Sequence, residues 1–391
     1  MEFNKVKLKE IADITMGQSP KGTSYNNIGN GVPFLQGNKT FGRLYPSIDT
    51  WTSEPNKIGK KNSILMSVRA PVGDLNIANQ DICIGRGLCS IEMKNGNNQY
   101  LFYVLMNSIN QIKNKSTGTV FDSINRKELE EIDVIDFNKE TQEKITKVLY
   151  NLDKKIELNN QINNGLDKIS QLLLENFIKE SKNIEYCKIK DFNPRLETGN
   201  RPKGGVNNIT TGVPSIGAES IKGLGYFDYT KTKYVTEEYF DNMKKGIIQG
   251  YELLIYKDGG KPGYFIPNFS MFGDGFPYEK CAINEHVFLL DFKDTRFNIF
   301  SYYYFNSEYI RHKLHVLGSK SAAIPGINQQ DILNLEIPHI KGIDEEVLDI
   351  LEANTRTIIK NSKQNVILTN MRDVLLPKLM NGEINLDKIQ I

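Results

Sequence analysis

The stretch NNIGNGVPFLQGN at residues 26–38 returns as NNITTGVPSIGAE at residues 207–219, 181 positions further along the chain. Two flanking pairs repeat at nearly the same interval: VKLKE at 6–10 with CKIKD at 187–191, and GQSPKG at 17–22 with GNRPKG at 199–204. Self-similarity at a fixed interval is typical of a duplicated structural unit. The sequence therefore predicts two copies of one globular unit, and this duplication decides the fold.

A third match lies further along each copy. TVFDSINRKELEEIDV at residues 119–134 corresponds to AIPGINQQDILNLEIP at residues 323–338, through Ile124 with Ile327 and Asn125 with Asn328. Each copy mixes short β-branched and aromatic runs, typical of strands, with Gly, Asn, Asp and Pro turns. Predicted strands include residues 32–35, 63–68, 81–84, 213–216, 252–256 and 286–290, and predicted helical stretches cover 99–110 and 297–317.

A long helical pattern follows each copy. Apolar or small residues recur at steps of three and four from 145 to 177 and from 347 to 379, which gives an a/d seam of roughly five heptads. The seam residues we single out are Leu149, Ile156, Asn159, Asn163 and Leu166 in the first helix and Leu351, Ile358, Asn361, Asn365 and Leu368 in the second. A stripe this narrow must be buried, and the duplication makes the other helix the natural partner.

The seam pattern leaves two questions open. Parallel and antiparallel pairing both bring Asn to Asn at the midpoint of the seam. Antiparallel pairing opposes Ser170 with Asn354 but Leu152 with Arg372, whereas parallel pairing opposes Leu152 with Asn354 and Ser170 with Arg372, so the pattern alone does not decide. Packing in a four-helix bundle with another protein, or as ordinary core helices, is the alternative to an intramolecular coiled coil. Geometry favours antiparallel helices, which would place the two globular units at opposite ends of a rod.

Composition excludes several classes of protein. The chain has 391 residues, too many for one ordinary core, and its 39% hydrophobic content is enough to fold. The net charge of +2 does not indicate a globally basic protein, although a local basic surface is compatible with it. The four cysteines form no CxxC pair, the N-terminus is polar, and no apolar run approaches a membrane span. We expect a cytoplasmic protein without a membrane segment.

The sequence contains no recognisable catalytic or metal-binding motif. It has no GxxxxGK[ST] loop, no GxGxxG opening a helix, no GxSxG, and no [ND]PP[YF] tetrapeptide of amino-methyltransferases. His312 and His315 are three residues apart, but no cluster of carboxylates or cysteines accompanies them. Lysines and arginines alternate with Asn, Gln, Ser and Tyr in both copies, which suits DNA bases and phosphates but is more typical of a solvated face.

Several runs together resemble the specificity subunits of Type I restriction–modification systems over essentially the whole chain. The runs are GVPFLQGNKT (31–40), SVRAPVGDLNIANQDICIGRGLCSI (67–91), GVPSIGAESI (212–221), LLIYKDGGKPG (253–263), AAIPGINQQDILNLEIP (322–338) and LLPKLMNGEI (375–384). The resemblance implies an α+β fold with two repeated mixed α/β target-recognition domains, separated by a long two-helix antiparallel coiled coil. The domains are then residues 1–138 and 181–340, and the helical spacers are residues 139–180 and 341–391.

The resemblance also implies a function. Each domain reads one half of a bipartite, asymmetric target in double-stranded DNA, and the helices set the distance between the halves. The chain has no catalytic residues and no cofactor or metal of its own. It scaffolds two adenine methyltransferase subunits, which use S-adenosylmethionine, and two restriction/translocase subunits, which use ATP and Mg²⁺, where the system includes them.

Candidate DNA-binding residues follow from the chemistry of the side chains near the matched runs. They are Gln36, Asn38, Lys39, Arg69 and Arg86 in the first domain and Lys203, Glu219, Lys257 and Lys261 in the second. As a structural alternative, Arg69 and Arg86 pair with Asp74 or Asp81 inside the domain. Three further alternatives are a specificity subunit of a system without the motor, a duplicated protein- or carbohydrate-binding adaptor on a coiled coil, and an enzyme with an unfamiliar site.

Overall fold

The computed structural model divides the chain into two compact units. Unit 1 comprises Met1–Glu157 and Ile367–Ile391, and unit 2 comprises Leu158–Val366. The residues that the structure describes are 3–116, 123–181, 184–320, 324–384 and 386. Each unit contains one of the two sequence copies and part of each long helix.

Unit 1 contains eleven strands among its described residues, and a four-stranded antiparallel sheet is central to it. The elements are β1 (Phe3–Lys7), α1 (Leu8–Ile11), β2 (Ala12–Met16), β3 (Tyr25–Asn26), β4 (Val32–Leu35), β5 (Trp51–Thr52), β6 (Ile58–Gly59), β7 (Ile64–Ser67), β8 (Leu75–Ile77), β9 (Ile82–Ile84), β10 (Leu88–Met93), α2 (Asn98–Asn107), α3 (Ile109–Ser116), α4 (Arg126–Glu130), β11 (Asp133–Phe137) and the first part of α5 (Lys139–Glu180). The central sheet has the order β2-β10-β7-β8, a second has the order β3-β5-β4-β9-β6, and β1 pairs with β11.

Unit 2 repeats this arrangement with fewer strands in its second sheet. Its elements are β12 (Tyr186–Lys188), β13 (Arg195–Thr198), β14 (Val213–Ile216), β15 (Lys233–Val235), α6 (Glu237–Asp241), β16 (Leu253–Tyr256), β17 (Phe269–Met271), β18 (Ala282–Ile283), β19 (Val287–Asp291), α7 (Thr295–Asn306), α8 (Glu308–Gly318), α9 (Gln329–Leu333), β20 (Glu336–Pro338) and α10 (Glu345–Met380), which continues into unit 1. The sheets have the orders β13-β19-β16-β17 and β15-β14-β18, and β12 pairs with β20.

The duplication is visible in local structure as well as in strand order. In both units one pair of strands is parallel, β4 with β9 and β14 with β18. The matched residues Asn125 and Asn328 each cap a short helix and form a capping box with the residue three positions on, Glu128 or Asp331. The predicted α+β fold with two repeated units and two long helices is confirmed.

The predicted helical stretches at 99–110 and 297–317 are each two helices rather than one. Ser108 separates α2 from α3, and Ser307 separates α7 from α8. Ser307 has extended backbone angles and its hydroxyl accepts a hydrogen bond from the amide of Ile310, so it acts as the N-cap of α8. Hydrophobic periodicity does not reveal such a break, because the apolar pattern continues through it.

Within unit 2 the long helices pair through buried polar side chains. Asn159 donates to Asn365 Oδ1 at 2.8 Å, Asn361 donates to Asn163 Oδ1 at 2.9 Å, and Asn354 donates to Ser170 Oγ at 3.1 Å. Residue numbers rise along α5 as they fall along α10, so the helices are antiparallel. The Ser170–Asn354 contact is the one that only the antiparallel arrangement predicts.

The ten seam residues differ in burial. Leu149, Ile156, Asn159, Leu351 and Ile358 are buried, whereas Asn163, Leu166, Asn361, Asn365 and Leu368 are half-buried. The Oδ1 atom of Asn159 is buried and lacks a hydrogen-bond partner among the described residues. Polar pairs inside a seam reduce stability and fix the register of the helices. The asparagines therefore align α5 against α10 within unit 2.

Within unit 1 the same helices meet at a buried charge. Asp153 is fully buried and accepts hydrogen bonds from Arg43, from Arg372 Nη1 at 2.8 Å and from the Tyr103 hydroxyl at 2.9 Å. Burial by itself would lower the pKa of the Arg372 guanidinium, but the charges of Asp153 and Asp373 outweigh it and raise that pKa above its usual value. Asp153 thus joins α5, α10, α2 and the loop after β4.

We expect Asp153→Ala to lower the free energy of unfolding by about 3–5 kcal/mol, because it leaves two arginines and a tyrosine without their shared acceptor. Asp373→Ala removes the other, largely exposed carboxylate beside Arg372 and should cost about 1 kcal/mol or less. Chemical denaturation of both variants measures the difference. Equal losses for the two variants would show that the buried carboxylate has no special role.

Candidate nucleic-acid interface

In unit 1, four segments meet where the parallel strands β4 and β9 end. The Gly85 amide donates to Leu35 O at 2.8 Å and the Gly87 amide donates to Gln36 O at 3.1 Å. The Val68 amide, at the end of β7, donates to Gly87 O at 2.9 Å. The Gly17 amide donates to Leu88 O and the Gln18 amide to Ile84 O, both at 2.9 Å. Together these bonds join residues 17–20, 36–40, 67–74 and 85–87, and we call this surface edge 1.

Glycine is required where the loops of edge 1 touch. A Cβ atom on Gly85 would lie 2.8 Å from the Gln36 Cα atom, and one on Gly87 would lie 2.6 Å from the Gln36 carbonyl oxygen. Both separations are too short for carbon, so a side chain at either position would push the loops apart. Gly85-Arg86-Gly87 therefore presents the exposed Arg86 side chain from a tightly held backbone.

Edge 1 brings together the candidate residues of the first domain. Gln36 Oε1 accepts a hydrogen bond from the Ser19 hydroxyl at 2.9 Å, and Ser19 Oγ accepts one from the Arg86 amide at 3.2 Å. Asn38 donates to Asp74 Oδ2 at 2.6 Å. Lys39 and Arg69 are exposed on the same loops. Ser19 is a polar member of this surface that sequence analysis missed.

The alternative in which Arg69 and Arg86 pair with Asp74 or Asp81 is not seen among the described residues. Asp74 accepts from Asn38, and Asp81 forms an ion pair with Lys60 at 3.0 Å. Hydrogen bonds from the Lys61 amide and the Lys60 ammonium lower the pKa of the Asp81 carboxyl. Within the described part of the chain, neither Arg69 nor Arg86 forms an ion pair, so both guanidinium groups face solvent.

Unit 2 has an equivalent surface, edge 2, made of residues 199–203, 217–220, 257–264 and 284–286. The Asn284 amide donates to Ile216 O at 2.9 Å, and the Lys257 amide donates to His286 O at 3.0 Å. These bonds correspond to those of Gly85 and Val68 in edge 1. The same backbone arrangement is thus built twice from different side chains.

The candidate residues of the second domain lie in different settings on edge 2. Lys257 is half-buried and its ammonium contacts Glu285 O at 3.1 Å and Asp258 Oδ2 at 3.4 Å. Glu219 forms an ion pair with Lys233 at 2.8 Å. Burial alone would raise the pKa of the Glu219 carboxyl, but hydrogen bonds from Lys233 and the backbone, together with the charges of Lys233 and Arg201, outweigh burial and lower that pKa. Lys203 and Lys261 are exposed in turns.

Four charged or titratable residues of edge 2 escaped sequence analysis. Arg201 Nε lies 3.1 Å from Glu285 Oε1, and His286 Nδ1 lies 2.6 Å from Asp258 Oδ1. The duplication carried a usable signal, because aligning GNRPKG with GQSPKG places Arg201 where the first unit has Ser19. Asp258, Glu285 and His286 could be recognised only from the contacts that bring residues 258 and 286 together.

The described residues contain no group of three or more His, Cys, Asp and Glu side chains arranged to hold a metal ion. Among the same residues, no helix is both long and apolar enough to cross a membrane.

Comparison with known proteins identifies the family. The model of the Type I restriction modification DNA specificity domain matches residues 1–168 and, a second time, residues 181–369. The chain belongs to this family. The family match agrees with the resemblance drawn from the sequence, and it gives no support to a protein- or carbohydrate-binding adaptor. Each of the two sequence copies is one specificity domain.

Two relatives come from Methanocaldococcus jannaschii. A putative type I restriction enzyme MjaX specificity subunit is 42% identical over 172 residues, which is 42% of this chain and 40% of that protein. The type I restriction enzyme MjaIX specificity subunit is 23% identical over 417 aligned residues, which is 99% of this chain and 95% of that protein. The chain thus spans less than half of the first relative's length and nearly all of the second's.

One solved structure is similar in fold over almost the whole chain. The crystal structure of the Type-I restriction-modification system S subunit from M. genitalium superposes with a TM-score of 0.55 at 16% sequence identity, covering 97% of this chain and 96% of that one. At this identity the likeness concerns the fold alone. It supports two specificity domains with long helices as the architecture of this chain.

We expect Arg69→Ala and Arg86→Ala to change the free energy of unfolding by less than about 0.5 kcal/mol, because neither guanidinium has an ionic partner among the described residues. Arg195→Ala is the contrast, since Arg195 lies 2.8 Å from the buried Glu252 and 3.3 Å from Asp291. We expect Arg195→Ala to lower the free energy of unfolding by about 2–4 kcal/mol. Thermal and chemical denaturation provide the measurement, and early melting of the edge 1 variants would favour a structural role.

Proposed function

We propose that this chain is the DNA-recognition subunit of a Type I restriction–modification complex. Edges 1 and 2 each read one half of a bipartite, asymmetric target in double-stranded DNA. The observation that carries the proposal is that one backbone arrangement is built twice and presents different exposed side chains. A duplicated reader with identical side chains would select a symmetric target, so unlike side chains favour two unlike half-sites.

The side chains of edge 1 suit direct readout of bases. Arg69 and Arg86 offer planar guanidinium groups of the kind that donate to guanine O6 and N7, and Gln36 and Asn38 carry amides of the kind that pair with adenine. Lys39 is a suitable partner for a phosphate, which positions the duplex without specifying its sequence. The exposed guanidinium groups keep their hydrogen-bonding capacity for a ligand.

We assign no catalysis to this chain within the proposal. Two adenine methyltransferase subunits, which use S-adenosylmethionine, assemble on it, and two restriction/translocase subunits, which use ATP and Mg²⁺, join where the host encodes them. An approximate repeat within one chain suits this role, because two identical methyltransferases then find two similar attachment surfaces. Co-purification with the methyltransferase alone, or with both partners, separates a modification system from a complete restriction system.

Helix length sets the gap between the half-sites in this proposal. We expect that inserting one heptad into both α5 and α10, at facing positions of the seam in unit 2, preserves the polar pairing. One heptad adds about 10.5 Å of helix, which corresponds to about three base pairs of duplex. Modified-base sequencing of a host carrying the variant with its methyltransferase should report an unchanged pair of half-sites and a wider gap. A methylated motif with the original gap would contradict the role of the helices.

We expect Arg69→Ala to weaken DNA binding by the methyltransferase complex by about tenfold or more, through loss of a charge-assisted contact to a base or phosphate. Lys7→Ala serves as the matched control, because Lys7 lies in β1 outside edge 1 and pairs with Asp133 at 2.8 Å. Fluorescence anisotropy with a duplex carrying the methylated motif measures both affinities. Equal affinity of the Arg69 variant and the wild type would remove edge 1 from the DNA interface.

A further inference from the structure

Backbone hydrogen bonds align edges 1 and 2 residue by residue. The Ile124 amide donates to Val68 O at 3.0 Å, and the Ile327 amide donates to Lys257 O at 2.9 Å. Val68 therefore corresponds to Lys257. Through the bonds that Val68 and Lys257 donate to Gly87 O and His286 O, Arg86 corresponds to Glu285.

Equivalent positions on the two edges carry opposite charges. Arg69 is replaced by Asp258 and Arg86 by Glu285, while Ser19 is replaced by Arg201. The substitutions are coupled in space, because Ser19 contacts the Arg86 amide in unit 1 and Arg201 contacts the Glu285 carboxylate in unit 2. A folding requirement does not explain the reversal, since both units keep the three backbone bonds that align them.

The Glu285 carboxylate is held by one oxygen and unsatisfied at the other. Oε1 lies 3.1 Å from Arg201 Nε and 3.4 Å from His286 Nε2. Oε2 is buried and has no hydrogen-bond partner among the described residues, although the side chain as a whole is 35% exposed. The final torsion of a Glu side chain is broad and its two oxygens are equivalent, so either oxygen can take the exposed place. The carboxylate therefore keeps acceptor capacity that no donor among the described residues uses.

We propose that Glu285 is a specificity-determining residue of unit 2, accepting a hydrogen bond from the exocyclic amino group of a base, cytosine N4 or adenine N6. Arg86, at the same place on edge 1, donates to guanine. The proposal rests on the proposed function and deepens it. The half-site read by unit 2 then presents a hydrogen-bond donor to Glu285, and the half-site read by unit 1 presents acceptors to Arg86.

Carboxylate chemistry makes this readout selective in both directions. An ionised carboxylate only accepts hydrogen bonds, and in the major groove it is favoured by the amino groups of cytosine and adenine and repelled by guanine O6 and thymine O4. Repulsion of the wrong base contributes to specificity as much as attraction of the right one. Arg201, paired with this carboxylate, offsets its repulsion by the phosphates.

The test uses the chain assembled with its methyltransferase subunits and the neutral, nearly isosteric change Glu285→Gln. The Gln amide both donates and accepts, so we expect one position of one half-site to relax, with discrimination there falling about tenfold. The other half-site and the gap should stay unchanged. Arg86→Gln should relax one position of the other half-site. Modified-base sequencing reads all of these at once, and the base at the relaxed position distinguishes cytosine from adenine.

Two further variants keep the result decisive. Glu308→Gln changes an exposed carboxylate of unit 2 outside edge 2 and should leave the motif unchanged. Arg201→Gln breaks the same ion pair but keeps the carboxylate, so it should retain discrimination at the position that Glu285→Gln relaxes. If Glu285→Gln and Arg201→Gln lose discrimination or stability equally, Glu285 acts structurally and the inference is wrong.

The inference and the proposed function fail in different ways. Absence of any bipartite methylated motif with the wild-type chain would overturn the proposed function. A wild-type motif that Glu285→Gln leaves intact would overturn only the inference. If Glu285→Gln abolishes methylation altogether, competition binding of the purified complex to duplexes with single base changes decides, because an unchanged ratio of affinities contradicts the inference and a reduced ratio supports it.

Discussion

The backbone hydrogen bonds that join the ends of the parallel strands to the neighbouring loop are the constraint on which each unit depends. In unit 1 they run from Gly85 to Leu35 at the end of β4, from Gly87 to Gln36, and from Val68 to Gly87. Backbone groups carry no sequence identity, so this frame tolerates changes in the side chains that project from it. In unit 1 the close approach at Gly85 and Gly87 is a local exception, because a Cβ atom at either position would clash with Gln36.

Because the frame is made by backbone, the duplicated units could diverge where side chains are exposed without losing their fold. Edge 1 exposes Arg69 and Arg86, and edge 2 has Asp258 and Glu285 at the same positions. Divergence of this kind is what separate recognition of two half-sites requires. A fold that fixed its loops through side-chain contacts would link every change of specificity to a loss of stability.

The long helices follow a different rule, in which specific polar side chains decide the arrangement. A parallel pair would oppose Ser170 with Arg372 and leave Asp153 without that partner. In the antiparallel pair, Ser170 instead accepts a hydrogen bond from Asn354, and Asp153 accepts one from Arg372. Burying an unpaired charge or amide costs more than burying an apolar residue, so the polar residues select one direction and one register.

Much of the fold follows from the sequence alone. The repeat predicted two units, the β-branched and aromatic runs predicted six of the strands, and the Asn125 and Asn328 matches fall on helix caps. The seam residues were also visible, because a helix buries positions at steps of three and four whatever its surroundings. These features are local, and local spacing determines which face of an element a side chain occupies.

Tertiary structure alone decided the direction of the helices and the partners of the charged residues. Asp153 meets Arg43 from 110 residues away and Arg372 from 219 residues away, and Glu285 meets Arg201, which lies between β13 and β14. The spacing of residues in sequence does not encode such contacts, because they depend on the path of the whole chain. The sequence thus determined the two units and their helices, while folding decided which charges are paired and which, like Arg86, face solvent.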